Sequence, residues 1–156
     1  MTRARAAGVV VAAAFLGPCI ATLQAREAAT PTAAAQTRPI MKIRIAFNAR
    51  AVTATLAESP AAREFFAQLP LTLTLKDYAA TEKIAYLPRK LRAIEGGNAG
   101  LTPEPGDIAY YAPWGNLAIF YKGADHAQGL VKLGHVHEGA EWLATASELQ
   151  VTISKE

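Results

Sequence analysis

The sequence contains one cysteine, Cys19, and only three histidines. Cys19 lies among the first 25 residues, which have the order of a secretory leader, so we expect the processed chain to contain no cysteine. Such a chain forms no disulfide and offers no thiolate to a metal ion. It must therefore be stabilised by its core, and we expect no cofactor.

The sequence also lacks an excess of charge beyond its first 39 residues. The whole chain has 16 basic and 13 acidic residues, a net charge of +3, and residues 1–39 hold four of the basic residues and one of the acidic ones. The subtraction leaves 12 of each from Ile40 onward. Because a nucleic-acid binder needs a basic surface to neutralise phosphates, we expect no nucleic-acid partner.

No apolar run is long enough for a membrane-spanning helix, which needs about 20 residues. Apolar residues 6–16 follow Arg3 and Arg5, and Gly17-Pro18 ends the run. This order, with small residues before a cleavage point after Ala25, predicts a secretory signal peptide over residues 1–25. We expect a periplasmic or secreted bacterial protein that makes no membrane contact after cleavage.

Two further interpretations concern the N-terminal region. Leu16-Gly17-Pro18-Cys19 faintly resembles a bacterial lipoprotein cleavage box, but it departs from that pattern because proline precedes the cysteine. Residues 26–40 are rich in Ala and Thr, contain two prolines and have no apolar period. This composition is typical of a flexible linker, so we predict that the folded domain comprises residues 41–156.

Short segments with strand patterns follow one another through this domain. Some alternate apolar and polar residues and others are continuously apolar, and both patterns are typical of β-strands. Two other segments predict short helices, one that begins at Ser59-Pro60 and one over residues 138–146. Regularly spaced strands with Gly and Pro turns indicate a mainly β barrel or sandwich. The eight predicted strands are 41–47, 52–56, 71–76, 83–87, 108–112, 117–121, 129–133 and 149–153.

The two strands around Pro113-Trp114-Gly115-Asn116 are nearly all apolar, so we expect both of their faces to be covered. The stretch Tyr110–Tyr121, with Lys83–Pro88 and the opening Met41-Lys42-Ile43, resembles a family of bacterial cyclophilin-like proteins. The resemblance covers residues 41–154. It implies a closed eight-stranded cyclophilin-like β-barrel with two short helices capping its ends.

Cyclophilins are peptidyl-prolyl isomerases, and the resemblance therefore implies a catalytic arginine in an apolar groove. The matching strand, Lys83–Pro88, has no arginine before its proline, and no Phe-x-x-x-Phe-x-x-Gln pattern follows it. Arg89 and Arg92 come after Pro88 and belong to a predicted loop. We therefore keep isomerase activity as an alternative and predict no catalytic residue.

A second alternative is a metal site at His135 and His137. Two histidines at this spacing on a strand point to the same face, which suits zinc or copper. Asp125, His126 and Glu138 are the other nearby ligand types. Because two histidines alone do not complete a metal site, and flanking glycines indicate a turn, we interpret the pair as exposed polar residues and predict no metal.

The remaining hypothesis is a non-catalytic binding domain with a peptide or small molecule as its partner. Aromatic residues provide large contact areas, and three of the five tyrosines and one of the two tryptophans lie in Asp107–Gly123. We expect the groove to be lined by Tyr86, Tyr110 and Trp114, with Arg89 at its rim. The adjacent Glu82-Lys83 is interpreted as a solvated pair, with a functional acid as the alternative.

Overall fold

Eight strands and two short helices make up the computed structural model, which describes residues 39–94 and 99–156. The predicted signal peptide and the predicted linker up to residue 38 lie outside these residues. No helix within the described residues is long and apolar enough to cross a membrane. The helices are α1 (Pro60–Phe66) and a 3-10 helix (Ala140–Thr145). The strands are β1 (Lys42–Phe47), β2 (Arg50–Leu56), β3 (Leu71–Tyr78), β4 (Glu82–Tyr86), β5 (Asp107–Tyr111), β6 (Asn116–Phe120), β7 (Leu130–Val136) and β8 (Glu148–Lys155).

The strands close into a barrel in the order β1-β2-β7-β5-β6-β4-β3-β8. Every pair of neighbouring strands is antiparallel. Closure leaves no free sheet edge, and an eight-stranded barrel is narrow enough to be filled by its own side chains. The structure thus confirms the prediction of a mainly β, closed eight-stranded barrel with two short helices.

Local sequence explains where individual elements begin and which side they bury. In β1, Ile43, Ile45 and Phe47 point into the barrel, whereas the alternate residues Lys42 and Arg44 are exposed. The Ser59 hydroxyl accepts a hydrogen bond of 3.1 Å from the Ala62 amide and so caps α1. Both features follow the predicted patterns.

The central strands β5 and β6 are covered on both faces, as their continuous apolar sequence predicts. Tyr110 and Leu117 belong to the core inside the barrel. A second apolar cluster lies on the outer face of the same strands, where Leu101 and Ala127 form an isolated bridge between two covering segments. The buried residues of that outer cluster are Ala109, Ala118, Phe120 and Leu130.

Strand β7 runs further than the sequence indicates. It was expected over residues 129–133, but it continues to Val136 and includes His135. The prediction was wrong because Gly134 was interpreted as a strand breaker. A Cβ atom on Gly134 would lie 2.5 Å from the Thr55 carbonyl oxygen, so this glycine allows β7 to pack closely against β2.

Candidate functional site

The hairpin loop between β5 and β6 places Trp114 on the outer surface. The loop is closed by the Gly115 amide, which donates a hydrogen bond of 2.8 Å to the Tyr111 carbonyl. Gly115 has φ 78°, a left-handed conformation that side-chain-bearing residues rarely adopt. Since the chain turns within these few residues, the indole of Trp114 is held beside the barrel with 44% of the residue exposed.

The hairpin turn between β3 and β4 brings two further side chains to the same region. Tyr78 and Glu82 are paired across these two strands, and the Thr81 amide donates a hydrogen bond of 3.1 Å to the Tyr78 carbonyl. Ala79 and Ala80 have φ of 50° and 55°. Positive φ at both central residues is strained for alanine. The turn therefore holds Tyr78 next to Glu82 at a cost in backbone energy.

Three aromatic rings meet at this point of the outer surface. The ring centroids of Tyr78 and Trp114 are 5.6 Å apart and their planes are at 88°. Tyr111 and Trp114 are 5.4 Å apart with planes at 82°. The rings border a cavity of about 200 Å³, which we call the aromatic pocket. Its lining is Tyr78, Glu82, Ile84, Tyr111, Trp114, Asn116, Ala127 and Leu130.

Two polar side chains in this lining have oxygen atoms without hydrogen-bond partners. Burial raises the pKa of Glu82 to about 7, and no described side chain donates a hydrogen bond to its carboxyl group. Asn116 is 2% exposed and its Nδ2 donates to the Leu117 carbonyl at 3.3 Å, but its Oδ1 has no partner among the described residues. Buried polar atoms are normally paired, so an unpaired atom beside a cavity indicates a place for a ligand atom.

The structure does not bring together the four residues expected to form the binding groove. Trp114 lines the aromatic pocket. Tyr86 is 64% exposed and does not line it, although it shares the outer face of β4 with Glu82. Tyr110 is 1% exposed, lies in the barrel core and accepts a hydrogen bond of 3.1 Å from the Leu91 amide. Alternation along β5 turns Tyr110 inward and Tyr111 outward.

Arg89 lies at a different depression, which it borders with Glu64, Lys90 and Arg92. Glu64 Oε2 accepts hydrogen bonds from the amides of Arg92 at 2.7 Å and Ala93 at 3.0 Å. These amide hydrogen bonds, that of Ala93 first, lower the pKa of Glu64. The loop is thereby held against α1, and Arg89 is not part of the aromatic pocket lining.

His135 and His137 are each engaged by another residue. His135 Nδ1 donates to Asp107 Oδ1 at 2.9 Å, and His137 Nε2 shares a hydrogen bond of 2.9 Å with Thr55 Oγ1. Both border one shallow depression with Glu138. Within residues 39–94 and 99–156, no group of three or more His, Cys, Asp or Glu side chains is placed to hold a metal ion.

Asp107 is a buried acid that the sequence reasoning did not single out. It is 1% exposed, and its Oδ1 accepts a hydrogen bond from Lys132 Nζ at 2.7 Å as well as from His135. Burial alone would raise the pKa of Asp107, but these hydrogen bonds and that of the Glu104 amide outweigh it and lower the pKa. The group ties β5 to β7.

The expectation that Glu82 and Lys83 form a solvated pair was wrong. Alternation along β4 sends the two side chains to opposite faces. Lys83 points inward and is fully buried, where it binds Asp77 and the Ala146 carbonyl. Glu82 points outward into the aromatic pocket.

The sequence reasoning also missed Tyr78, Tyr111 and Asn116 as lining residues. The Tyr110-Tyr111 pair carried a usable signal, since neighbouring strand residues face opposite sides and one tyrosine had to face outward. Tyr78 carried no such signal, because only the non-local pairing of β4 with β6 brings the end of β3 to the same outer surface as Trp114.

Comparison with known proteins agrees with this architecture. The chain matches the sequence profile of the cyclophilin-like family over residues 45–154. Among solved structures, it is similar to the solution structure of the hypothetical protein AF2241 from Archaeoglobus fulgidus, with a TM-score of 0.57 and 17% identity. That match covers 75% of this chain and 95% of the other, and it shows the fold alone. A search of curated proteins found no match.

Proposed function

The chain belongs to the cyclophilin-like family, and we propose that it is a non-catalytic binding module whose ligand occupies the aromatic pocket. The ligand is a small molecule or a side chain of a peptide. The observation that supports this proposal is the coincidence, around one cavity, of three aromatic rings with the Glu82 carboxyl group and Asn116 Oδ1, neither of which has a hydrogen-bond partner among the described residues. Ligand sites typically combine an apolar lining with a few polar groups in this way.

The size of the aromatic pocket limits what it can accept. A cavity of about 150 Å³ is large enough for benzene, and the aromatic pocket measures about 200 Å³. It therefore has room for one small organic group. A longer ligand would place one group in the pocket and lie over the surface beside Trp114.

The lining of the aromatic pocket favours binding over prolyl isomerisation. Rotation about an X–Pro bond has a barrier of roughly 18–20 kcal/mol, and an enzyme lowers it with a fixed donor directed at the twisted amide. No arginine or lysine is among the described lining residues, and Arg89 and Arg92 border the other depression. For this reason, isomerase activity remains the alternative rather than the proposal.

We also propose that the module acts outside the cytoplasm, in the periplasm or as a secreted protein. Support for this comes from the leader alone, whose basic, apolar and small-residue segments follow one another in the order of a signal peptide.

Two-dimensional NMR of the purified chain tests the binding function with a set of chemically diverse probes. A fragment library with neutral, anionic and cationic members would be titrated while the indole N–H signals of Trp114 and Trp142 are followed. We expect saturable shifts at Trp114 and at the Asn116 side-chain amide for some members. Trp142 should not move, because it packs with Arg50 away from the pocket lining.

Matched tryptophan variants assign the response to the site. Trp114→Ala should abolish the saturable shifts of the Asn116 side-chain amide, and Trp142→Phe should retain those of both Asn116 and Trp114. A library in which no member shifts Trp114 would overturn the proposed function. An exchange measurement on a short X–Pro peptide, with an active cyclophilin as control, tests the alternative. Acceleration that is lost in Arg89→Ala would make the protein an isomerase.

A further inference from the structure

We propose that the ligand group held by the aromatic pocket is an organic ammonium ion, bound by the rings of Tyr78, Tyr111 and Trp114 together with the carboxylate of Glu82. This inference rests on the proposed function and specifies the chemical class of its ligand. The ammonium group is that of a free small molecule or of a modified lysine side chain.

The arrangement of the rings supports a cation. The planes of Tyr78 and Tyr111 are both nearly perpendicular to that of Trp114, so the rings form adjoining walls of one small cavity. Ring faces carry negative charge density and attract ammonium groups within about 6 Å of the ring centroid. Each edge-to-face contact uses one face of one ring, so the two contacts leave the other faces of the three rings for a ligand.

Within residues 39–94 and 99–156, these three rings have no lysine or arginine over them, in contrast to other aromatic residues of the barrel. Lys83 and Lys122 lie 5.8 Å and 5.9 Å from the Tyr121 ring, and Arg50 lies 4.9 Å from that of Trp142. Among the described residues, no lysine or arginine lies over Tyr78, Tyr111 or Trp114. No lysine or arginine of the described residues therefore competes with a ligand for the rings of the aromatic pocket.

The charge of the aromatic pocket lining also favours an ammonium ligand. Glu82 is the only Asp, Glu, Lys, Arg or His among the described lining residues. Glu82 is partly buried and has no partner among the described residues, which disfavours its charged form, and an opposite charge nearby relieves that cost. An ammonium ion in the aromatic pocket would provide this charge, whereas an anion would meet both the carboxylate and the ring faces. The unpaired Oδ1 of Asn116 is a further acceptor for a polarised hydrogen atom of the ligand.

A pair of probes with the same shape tests the inference. Choline and 3,3-dimethylbutan-1-ol have equal numbers of heavy atoms, but only choline is charged. Each would be titrated at pH 8 into the full chain, and the Trp114 indole signal would be followed by NMR. We expect choline to bind at least about tenfold more tightly, which corresponds to the roughly 1–2 kcal/mol of a partly desolvated cation–aromatic contact.

Two variants and one control locate the effect. Glu82→Gln keeps the size of the side chain but removes its charge, and it should weaken choline binding by about tenfold while changing the affinity for the neutral alcohol little. Trp114→Leu should abolish binding of both probes, and in this variant binding is followed at the Asn116 side-chain amide because the indole signal is absent. Trp142→Phe should change neither affinity, since Trp142 lies outside the aromatic pocket lining. Unfolding curves would confirm that each variant is folded.

The outcomes separate this inference from the proposed function. Equal affinity for the two probes, or shifts at Trp114 caused only by neutral or anionic fragments, would overturn the ammonium ligand and leave the binding function intact. Titration of a short peptide with one trimethyllysine then tests which molecule supplies the ammonium group. Tighter binding of this peptide than of choline identifies a side chain as the source, and the reverse order identifies a free small molecule.

Discussion

Lys83 Nζ lies 2.8 Å from Asp77 Oδ1, and the lysine side chain is fully buried while that of Asp77 is 30% exposed. Tyr121 donates a second hydrogen bond of 2.7 Å to the same carboxylate oxygen. The hydrogen bonds from Lys83 and then Tyr121 lower the pKa of Asp77. A buried ammonium group is therefore balanced by a carboxylate at the end of β3.

Removal of the carboxylate should destabilise the barrel more than removal of the charge of the lysine. Asp77→Ala leaves the Lys83 ammonium buried without its counter-ion, and we expect a loss of about 2 kcal/mol or more in the free energy of unfolding. Lys83→Met fills the same space with an apolar chain and leaves a carboxylate that still reaches water, so its effect should be smaller. Urea unfolding measures both, and the reverse order would contradict this account.

The partly buried Glu82 should make the protein less stable as the pH rises. An acid paired with a basic group has the opposite effect. Its pKa is about 7 in the folded chain and 4.5 ordinarily, so the folded state holds a proton that the unfolded state releases between these values. Stability contributed by this group is lost as the pH rises from 4.5 to 7. Glu82→Gln removes this loss.

We therefore compare the free energy of unfolding of Glu82→Gln with that of the unmodified chain. The difference, variant minus unmodified, should increase by on the order of 2 kcal/mol between pH 4.5 and pH 8. Urea unfolding of both proteins at the two pH values gives this difference, and groups common to both cancel. A stability difference independent of pH would show that the carboxyl group is well solvated.

A single substitution in the turn between β3 and β4 should stabilise the folded protein. Ala80 has φ 55°, which costs an L-residue roughly 1–2 kcal/mol and glycine almost nothing. Ala80→Gly should raise the free energy of unfolding by about 0.5–1 kcal/mol after the greater freedom of glycine in the unfolded chain is deducted. As a control, Ala51→Gly in the extended strand β2 should lower it by a similar amount.

The leader prediction concerns residues outside the described part of the chain. We expect export with cleavage after Ala25, because this small residue follows the basic and apolar segments of the leader. Intact mass of the exported protein should then correspond to a chain that starts at Arg26. A cytoplasmic protein that retains residues 1–25 would contradict both the prediction and the proposed location.

The sequence by itself determined that the domain has eight strands and that β5 and β6 are covered on both faces, although it did not give the end of β7. Alternation in β1 and continuous apolar sequence in β6 specify burial locally, because side chains of a strand point to opposite sides in turn. The capping of α1 by Ser59 was equally local. Family resemblance in the central stretch then indicated the barrel.

Only the tertiary structure decided which residues share a site. Alternation states that Tyr110 and Tyr111 face opposite sides, and likewise Glu82 and Lys83, but it does not state which member points inward. Pairing between strands that are distant in sequence fixes that choice. The pairing of β4 with β6 brings Tyr78, at the end of β3, close enough for its ring to contact Trp114. The raised pKa of Glu82 has the same origin, because burial depends on neighbours that non-local strand pairing supplies.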